Sequence, residues 1–221
     1  MNENGRETGE NMGQSAFDRP QNDPRAQRVI RSIERFATEF DRRVPREHAN
    51  EVLYESVPLE GAVIRQGPER FIEEHLIRDV AEALGYQYRP QPKGFEGLDD
   101  DTPDFTITNV GVTVIGELKA PNKIEKAQSE SISYLHRAEN RPLVGIASDG
   151  WTWIKYTAPM DGKPTFSDHC SLRKVIRDIT REQAKDRSSR RDRSELRKRC
   201  YDFVTAFGAE EIGRSVESEQ S

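Results

Sequence analysis

The stretch that decides the fold runs from Pro103 to Lys119 and reads Pro-Asp-Phe-Thr-Ile-Thr-Asn-Val-Gly-Val-Thr-Val-Ile-Gly-Glu-Leu-Lys. Its two β-like runs are separated by an Asn- and Gly-containing turn at 108–111, which predicts a hairpin of adjacent strands. Asp104 stands at the start of the first run, and Glu117 stands with Lys119 at the end of the second. The hairpin therefore brings two acids and a lysine together, which is the minimum needed to hold a divalent metal beside an activated water.

The second run has the pattern of a central strand. Side chains on a strand alternate between its faces, so Glu117 and Lys119 share one face and Leu118 turns to the other. Both faces are apolar until the last few residues, as in a strand that is covered on both sides. Pro121 ends the strand because proline cannot donate to the ladder.

The residues after Lys119 predict a parallel crossover. A helix over 123–137 separates this strand from the next strand, which begins at Leu143, and such a connection is right-handed and joins parallel strands. Asp149-Gly150 then predicts a tight hairpin into a strand over 151–157.

A long helix is predicted upstream, from Pro68 to Leu84, with Gly85 just past its end. Glu69 lies three residues before Ile72, where the apolar stripe of the helix begins, and is expected on its buried edge. Glu73 lies one turn further on. Each acid has two interpretations: compensation of the helix dipole, or a third carboxylate that reaches the metal. The apolar stripe consists of Ile72, Leu76, Val80 and Ala83.

Taken in order, these elements resemble the PD-(D/E)xK nuclease superfamily. More narrowly, they resemble the nuclease domain at the N-terminus of type I restriction enzyme R subunits. The matching residues run from about Glu69 to Tyr156 and include Pro103-Asp104, Glu117-Leu118-Lys119-Ala-Pro121 and Leu143 to Trp153. The resemblance implies an α/β fold with a restriction-endonuclease-like mixed β-sheet core flanked by helices, and with added N- and C-terminal helices.

The resemblance also implies a chemistry. Asp104, Glu117, Lys119 and Glu69 are the expected catalytic residues of a hydrolase that cuts DNA phosphodiester bonds with a metal-activated water. Asp104 and Glu117 are oxygen donors suited to Mg²⁺ or Mn²⁺. Lys119 would orient the water and stabilise developing charge. The alternative for Glu117 and Lys119 is a solvated strand end with a surface ion pair.

One position departs from the family pattern. Type I nucleases usually carry a Gln four residues before a Tyr on the helix after the lysine. Here Tyr134 is present, but Glu130 stands in place of the Gln. Gln128 is nearby but lies off that face, because residues four apart share a helix face and residues six apart do not. Either Glu130 substitutes for the Gln or that contact is missing.

The chain of 221 residues suits one domain with appendages. The sequence predicts five segments: a disordered tail over 1–24, a helical extension over 25–60, the nuclease-like core over 61–160, a basic helical region over 161–214 and a disordered tail over 215–221. The extension begins with a helix from Pro24 to Arg43 whose apolar stripe either packs on the core or presents a partner surface. The stretch 51–57 is ambiguous between strand and helix.

Net charge is −5, and 33 % of the residues are charged. The stretch 173–199 is basic, with twelve Lys or Arg against five Asp or Glu. It is either a solvated helix face or a phosphate-contacting surface. Two separated cysteines argue against zinc and disulfides and favour a reducing cytoplasm. No membrane-spanning run is visible, and the acidic run 99–101 is interpreted as a solvated loop.

The expected setting is restriction, another defence task or DNA processing. DNA is the expected substrate, and other restriction or defence subunits and a second copy of the chain are the candidate partners. One rival hypothesis is a non-catalytic nucleic-acid-binding or assembly subunit on the same fold. The other is an interaction protein in which the α/β core is only a scaffold.

Overall fold

The computed structural model describes residues 23–98, 101–139, 143–160, 162–184 and 193–217. Residues 1–22 of the predicted tail over 1–24, the acidic residues 99–100, residues 185–192 of the basic stretch 173–199 and the last residues, 218–221, lie outside this range. A mixed α/β fold is confirmed, with a six-stranded sheet in the order β1-β2-β3-β4-β5-β6 flanked by helices. The strands are β1 Tyr88–Pro90, β2 Phe105–Ile107, β3 Thr113–Leu118, β4 Leu143–Ser148, β5 Thr152–Ala158 and β6 Thr165–Ser171.

The helices are numbered in their order along the chain. They are α1 Pro24–Arg43, α2 Arg46–Tyr54, α3 Gly61–Ile64, α4 Pro68–Ile72, α5 Arg78–Ala83, α6 Ile124–Arg137, α7 Arg173–Ala184, α8 Ser194–Phe207 and α9 Ala209–Glu217. A π-helical turn, Glu73–Ile77, joins α4 to α5. Within the described residues, no helix is both long and apolar enough to cross a membrane.

The central strand β3 is the one predicted from its apolar pattern. It pairs antiparallel with β2, with Phe105 opposite Gly116, so the predicted hairpin is confirmed. It pairs parallel with β4, and α6 forms the predicted crossover between them. Gly116 is required here, because a Cβ at this position would overlap with the ring of Phe105.

The two faces of the sheet carry separate cores. On one face, α6 packs against Ile115 of β3 and Ala147 of β4. The buried row of α6 itself consists of Ala127, Ser131 and Leu135. On the other face, α1, α5, α7 and α8 share one larger core that includes Val114, Val144 and Trp153. Glu117 lies two residues after Ile115 along β3, so its side chain points to the same face, which is the α6 face.

The N-terminal helix α1 packs on the larger core. Its stripe of Val29, Ile33, Phe36 and Phe40 is fully buried, and the Phe36 ring lies 5.7 Å from the Trp151 ring. Of the two alternatives for this stripe, core packing is therefore confirmed, and the stripe is not a free partner surface. Asp23 caps the helix by accepting hydrogen bonds from the backbone N–H groups of Arg25, at 2.7 Å, and Ala26, at 3.1 Å.

Some local expectations are wrong or incomplete. The ambiguous stretch 51–57 begins inside α2 and is not a strand. The helix predicted from Pro68 to Leu84 contains a π-helical turn that no sequence signal indicated. The edge strand β6 was not anticipated, because most of its side chains are exposed and its sequence therefore lacks apolar alternation.

The expected burial of Glu69 is also wrong. Successive helix residues are rotated by about 100°, so the buried arc formed by Phe71 and Ile72 turns away from Glu69. Phe71 and Ile72 are fully buried, and Glu69 is exposed.

Candidate active site

The three predicted strand residues meet at the C-terminal end of β3. The Lys119 ammonium contacts the Glu117 carboxyl directly and lies 3.7 Å from Asp104 Oδ2. Asp104 Oδ2 also accepts a hydrogen bond of 2.8 Å from the backbone N–H of Leu118. The backbone N–H of Lys119 donates to the carbonyl of Ser148 at 2.9 Å, which extends the β3–β4 ladder by one residue. Backbone pairing thus holds the site in place on both sides.

Burial distinguishes this cluster from a solvated strand end. Glu117 is 2 % exposed and Lys119 is 6 % exposed. The side chain of Asp104 is 38 % exposed and forms the rim of the cluster. Burying charged groups is costly unless they are paired, so this arrangement differs from the surface ion pair considered as the alternative.

Glu130 joins the cluster from α6. Its Oε2 atom lies 2.8 Å from Lys119 Nζ, so the lysine faces three carboxylates. The sequence left open whether Glu130 substitutes for the family Gln or whether that contact is missing, and the structure shows that Glu130 contacts the lysine of the cluster. Gln128 lies off this face as predicted, and its side-chain amide donates to the Tyr156 hydroxyl at 2.8 Å.

The acids predicted on the upstream helix are placed differently. Glu69 is exposed, as described above. Glu73 accepts hydrogen bonds from the Tyr88 hydroxyl, at 3.1 Å, and from Arg78, at 2.9 Å. The Tyr88 ring stacks on Phe105 at 5.1 Å, so Glu73 is linked to β2 through an aromatic side chain. Of the two acids, Glu73 is therefore the one whose contacts lead toward the hairpin.

Burial and close contacts shift the pKa values of the cluster. Burial, and then the neighbouring Glu130 carboxyl, raise the pKa of Glu117 to about 9. The hydrogen bond to Glu117 lowers the pKa of Glu130. Burial opposes the charge on Lys119, but hydrogen bonds to Glu117 and Glu130 outweigh it and raise the pKa of the ammonium. At neutral pH and without a metal, the pair of carboxyls therefore shares one proton next to a charged lysine.

The donor chemistry of the cluster fits a hard divalent cation. Glu117 Oε2 is buried and receives no hydrogen bond from any described residue. Together with Asp104 it offers carboxylate oxygens, which Mg²⁺ and Mn²⁺ prefer. The described residues contain no group of three or more His, Cys, Asp or Glu already arranged around a common metal position. The Lys119 ammonium lies among these carboxylates.

Asn122 anchors the loop that follows Lys119, and sequence reasoning missed it. Its side-chain amide donates to the carbonyls of Val52, at 3.0 Å, and Val57, at 2.8 Å, and its backbone N–H donates to Asp149 Oδ2 at 3.0 Å. Its φ of 67° lies in the left-handed region, which Asn tolerates better than most residues. An Asn directly after a strand-ending Pro was the available signal, because Asn favours such turns.

The chain matches no protein-family model, and comparisons with curated proteins and with solved structures found no significant match.

Proposed function

We propose that this protein is a Mg²⁺-dependent endonuclease that hydrolyses DNA phosphodiester bonds, with Mn²⁺ as an alternative metal. The observation that carries the proposal is the buried contact of Lys119 with Glu117, beside Asp104, at the end of the central strand. Neighbouring strands hold these residues in register, so they are preorganised for chemistry. The resemblance to PD-(D/E)xK nucleases supports the same assignment.

Each residue has a distinct task in this proposal. Asp104 and Glu117 would hold the metal through their carboxylate oxygens. A bound cation would lower the pKa of a water molecule and would neutralise the charge that develops on the phosphate oxygens. Lys119 keeps its charge and stabilises the negative charge of the reacting phosphate. Glu130 holds the lysine ammonium in position from α6.

The biological setting that we propose is restriction, another defence task or DNA processing. A partner subunit would choose the target, because phosphate contacts alone carry no sequence information. One site cuts one strand at a time, so cutting of both strands would require a second copy of the chain or repeated encounters.

Plasmid cleavage tests the proposal. Purified protein is incubated with supercoiled DNA and Mg²⁺ or Mn²⁺ across a salt series, and we expect nicked or linear product. Glu117→Gln and Lys119→Met should each lower the rate about 100-fold or more. The matched controls are Glu125→Gln and Lys198→Met, which change exposed side chains on α6 and α8. Absence of cleavage by the wild type, or equal cleavage by the two site variants, would overturn the proposal.

One observation favours a second candidate, the non-catalytic nucleic-acid-binding or assembly subunit. Lys119 already faces three carboxylates, so the protein's own cation partly balances their charge. Such a cluster could serve as a structural ion-pair network. Calorimetric titration with Mn²⁺ discriminates the two candidates: a nuclease binds the ion in a manner that Asp104→Asn abolishes, whereas an inert subunit gives no heat that depends on Asp104.

A further inference from the structure

Four side chains of α6 form a continuous row beside the candidate site. Lys126, Glu130, Tyr134 and Arg137 follow one another at spacings of four, four and three residues, which places them on one side of the helix. We call this row the α6 strip. It runs alongside the buried row of α6, so it lies at the edge where the helix meets the sheet.

Direct contacts connect the α6 strip to the site. Lys126 Nζ lies 3.8 Å from Glu130 Oε1, and the other oxygen of Glu130 contacts Lys119 at 2.8 Å. Tyr134 follows Glu130 by one helical turn on α6. The Arg137 guanidinium lies 5.4 Å from the centre of the Tyr134 ring and pairs with the Asp101 carboxylate at 2.7 Å. The strip thus passes directly by the lysine of the cluster.

The two cations of the strip are open to solvent on either side of the site. The side chain of Lys126 is 64 % exposed and that of Arg137 is 39 % exposed, whereas Lys119 between them is buried. Eleven residues of helix rise by about 16 Å. One DNA strand advances about 3.4 Å per nucleotide along the duplex axis, so this distance corresponds to roughly five nucleotides.

The basic C-terminal helices lie on the wrong side of the sheet for this task. Helix α8 packs through Phe203 on Trp153, in the core on the face opposite to α6. Its cations Lys198 and Arg199 form ion pairs with acids of the same helix at 2.6 Å and 2.9 Å. Arg137 of the α6 strip likewise forms an ion pair with Asp101, at 2.7 Å. The face of the sheet on which the cations lie, and not their pairing, therefore separates the two sets. A strand whose phosphate reaches Lys119 on the α6 face is separated from α8 by the sheet itself.

We propose that the α6 strip is the surface along which the substrate strand lies. Lys126 and Arg137 contact phosphates on opposite sides of the phosphate that is cut. The inference rests on the proposed function and adds to it the path of the strand. Contacts of this kind are made to the sugar–phosphate backbone, so they position the strand without reading its sequence.

Binding of a fluorescein-labelled 20-base-pair duplex in Mg²⁺ tests the inference. The measurements use the Lys119→Met background, in which the DNA stays intact, and they follow fluorescence anisotropy across a salt series. The strip variant Lys126→Gln/Arg137→Gln should weaken binding about tenfold or more at low salt. It should also lower the slope of log affinity against log salt by about 2, since each phosphate contact contributes about 0.9. In cleavage assays without the background substitution, the strip variant should raise KM more than it lowers kcat.

The matched control is Lys198→Gln/Arg199→Gln, which removes two cations of comparable exposure and pairing on the opposite face. It should change neither the affinity nor the salt slope. Lys126→Gln alone does not threaten the fold, because its side chain is largely exposed, and it should lower the slope by about 1.

The outcomes separate this inference from the proposed function. If the wild type cleaves DNA and the strip variant keeps its affinity and salt slope, the strand path is wrong and the nuclease stands. If the control loses as much affinity as the strip variant, the strand path is also wrong. If the wild type neither binds nor cleaves, the proposed function and the strand path both fail.

Discussion

Glu117→Gln should make the metal-free protein more stable, by an amount that grows with pH. Glu117 is 2 % exposed and lies beside the carboxyl of Glu130. Glutamine has nearly the same shape, keeps an oxygen that can accept from Lys119, and has an amide N–H that can donate to Glu130. The substitution therefore keeps the contacts that the protonated acid makes and removes its titration.

The sign follows from linkage. Below the ordinary glutamate pKa, near 4.5, Glu117 is protonated in both the folded and the unfolded chain. As pH rises, the unfolded chain loses this proton first, while the folded protein keeps it until the pKa of about 9. In this window the folded state binds more protons, so the free energy of unfolding falls by about 1.4 kcal/mol per pH unit. Between pH 6 and pH 8 the wild type should lose about 2–3 kcal/mol relative to Glu117→Gln.

Urea unfolding with EDTA at pH 6 and pH 8 measures this difference. The control is Glu125→Gln, an exposed acid on α6, whose difference from the wild type should be the same at both pH values. If the stability difference between the wild type and Glu117→Gln changes by less than about 0.5 kcal/mol between the two pH values, the reasoning on the shared proton is refuted.

Two further predictions concern the fold. Gly116→Ala should destabilise the protein by about 1–3 kcal/mol in urea unfolding, since its Cβ would overlap with the buried Phe105 ring. Gly67→Ala, where a Cβ meets no atom, should be near neutral, and equal losses would contradict the steric reasoning. Ion pairs with Arg42 and Arg43 lower the pKa of Glu39 to about 2. These ion pairs contribute roughly 1 kcal/mol to the free energy of unfolding. This contribution is present above pH 4.5 and is lost as the pH falls toward 2. Thermal melts of the wild type and Glu39→Gln should therefore differ at pH 6 and converge near pH 2, and a constant difference would count against this assignment.

Much of the fold was predictable because its signals are local. Helix α1 was predicted from Pro24 to Arg43 and has those bounds, since a cap, an apolar stripe and Val44-Pro45 mark its limits. The β2–β3 hairpin and the parallel crossover to β4 follow from alternation and turn residues. The edge strand β6 and the π-helical turn depend on contacts with distant residues, so no local sequence pattern predicts them.

The strand part of the site was predictable for the same reason, and the helix part was not. Asp104, Glu117 and Lys119 come together because the pairing of adjacent strands fixes their separation. The acid that a helix contributes depends on how that helix is rotated in its packing. Glu69 had the expected spacing, but the burial of Phe71 turns it outward, whereas Glu130 reaches Lys119 from the crossover helix. The usable signal was that α6 begins directly after β3, so its first turns lie over the end of that strand.

The Glu117→Gln variant bears on function only when its stability is read together with its cleavage activity. A single lysine faces three carboxylates, and the buried Glu117 holds a proton at neutral pH when no metal is bound. The gain in stability at high pH follows from this proton whether or not the site is catalytic. In a nuclease, the same substitution also removes a carboxylate that would hold the metal, so the gain in stability comes with a loss of cleavage. A variant that is more stable at pH 8 and no longer cleaves DNA, beside a wild type that does, would therefore favour the nuclease over the inert subunit.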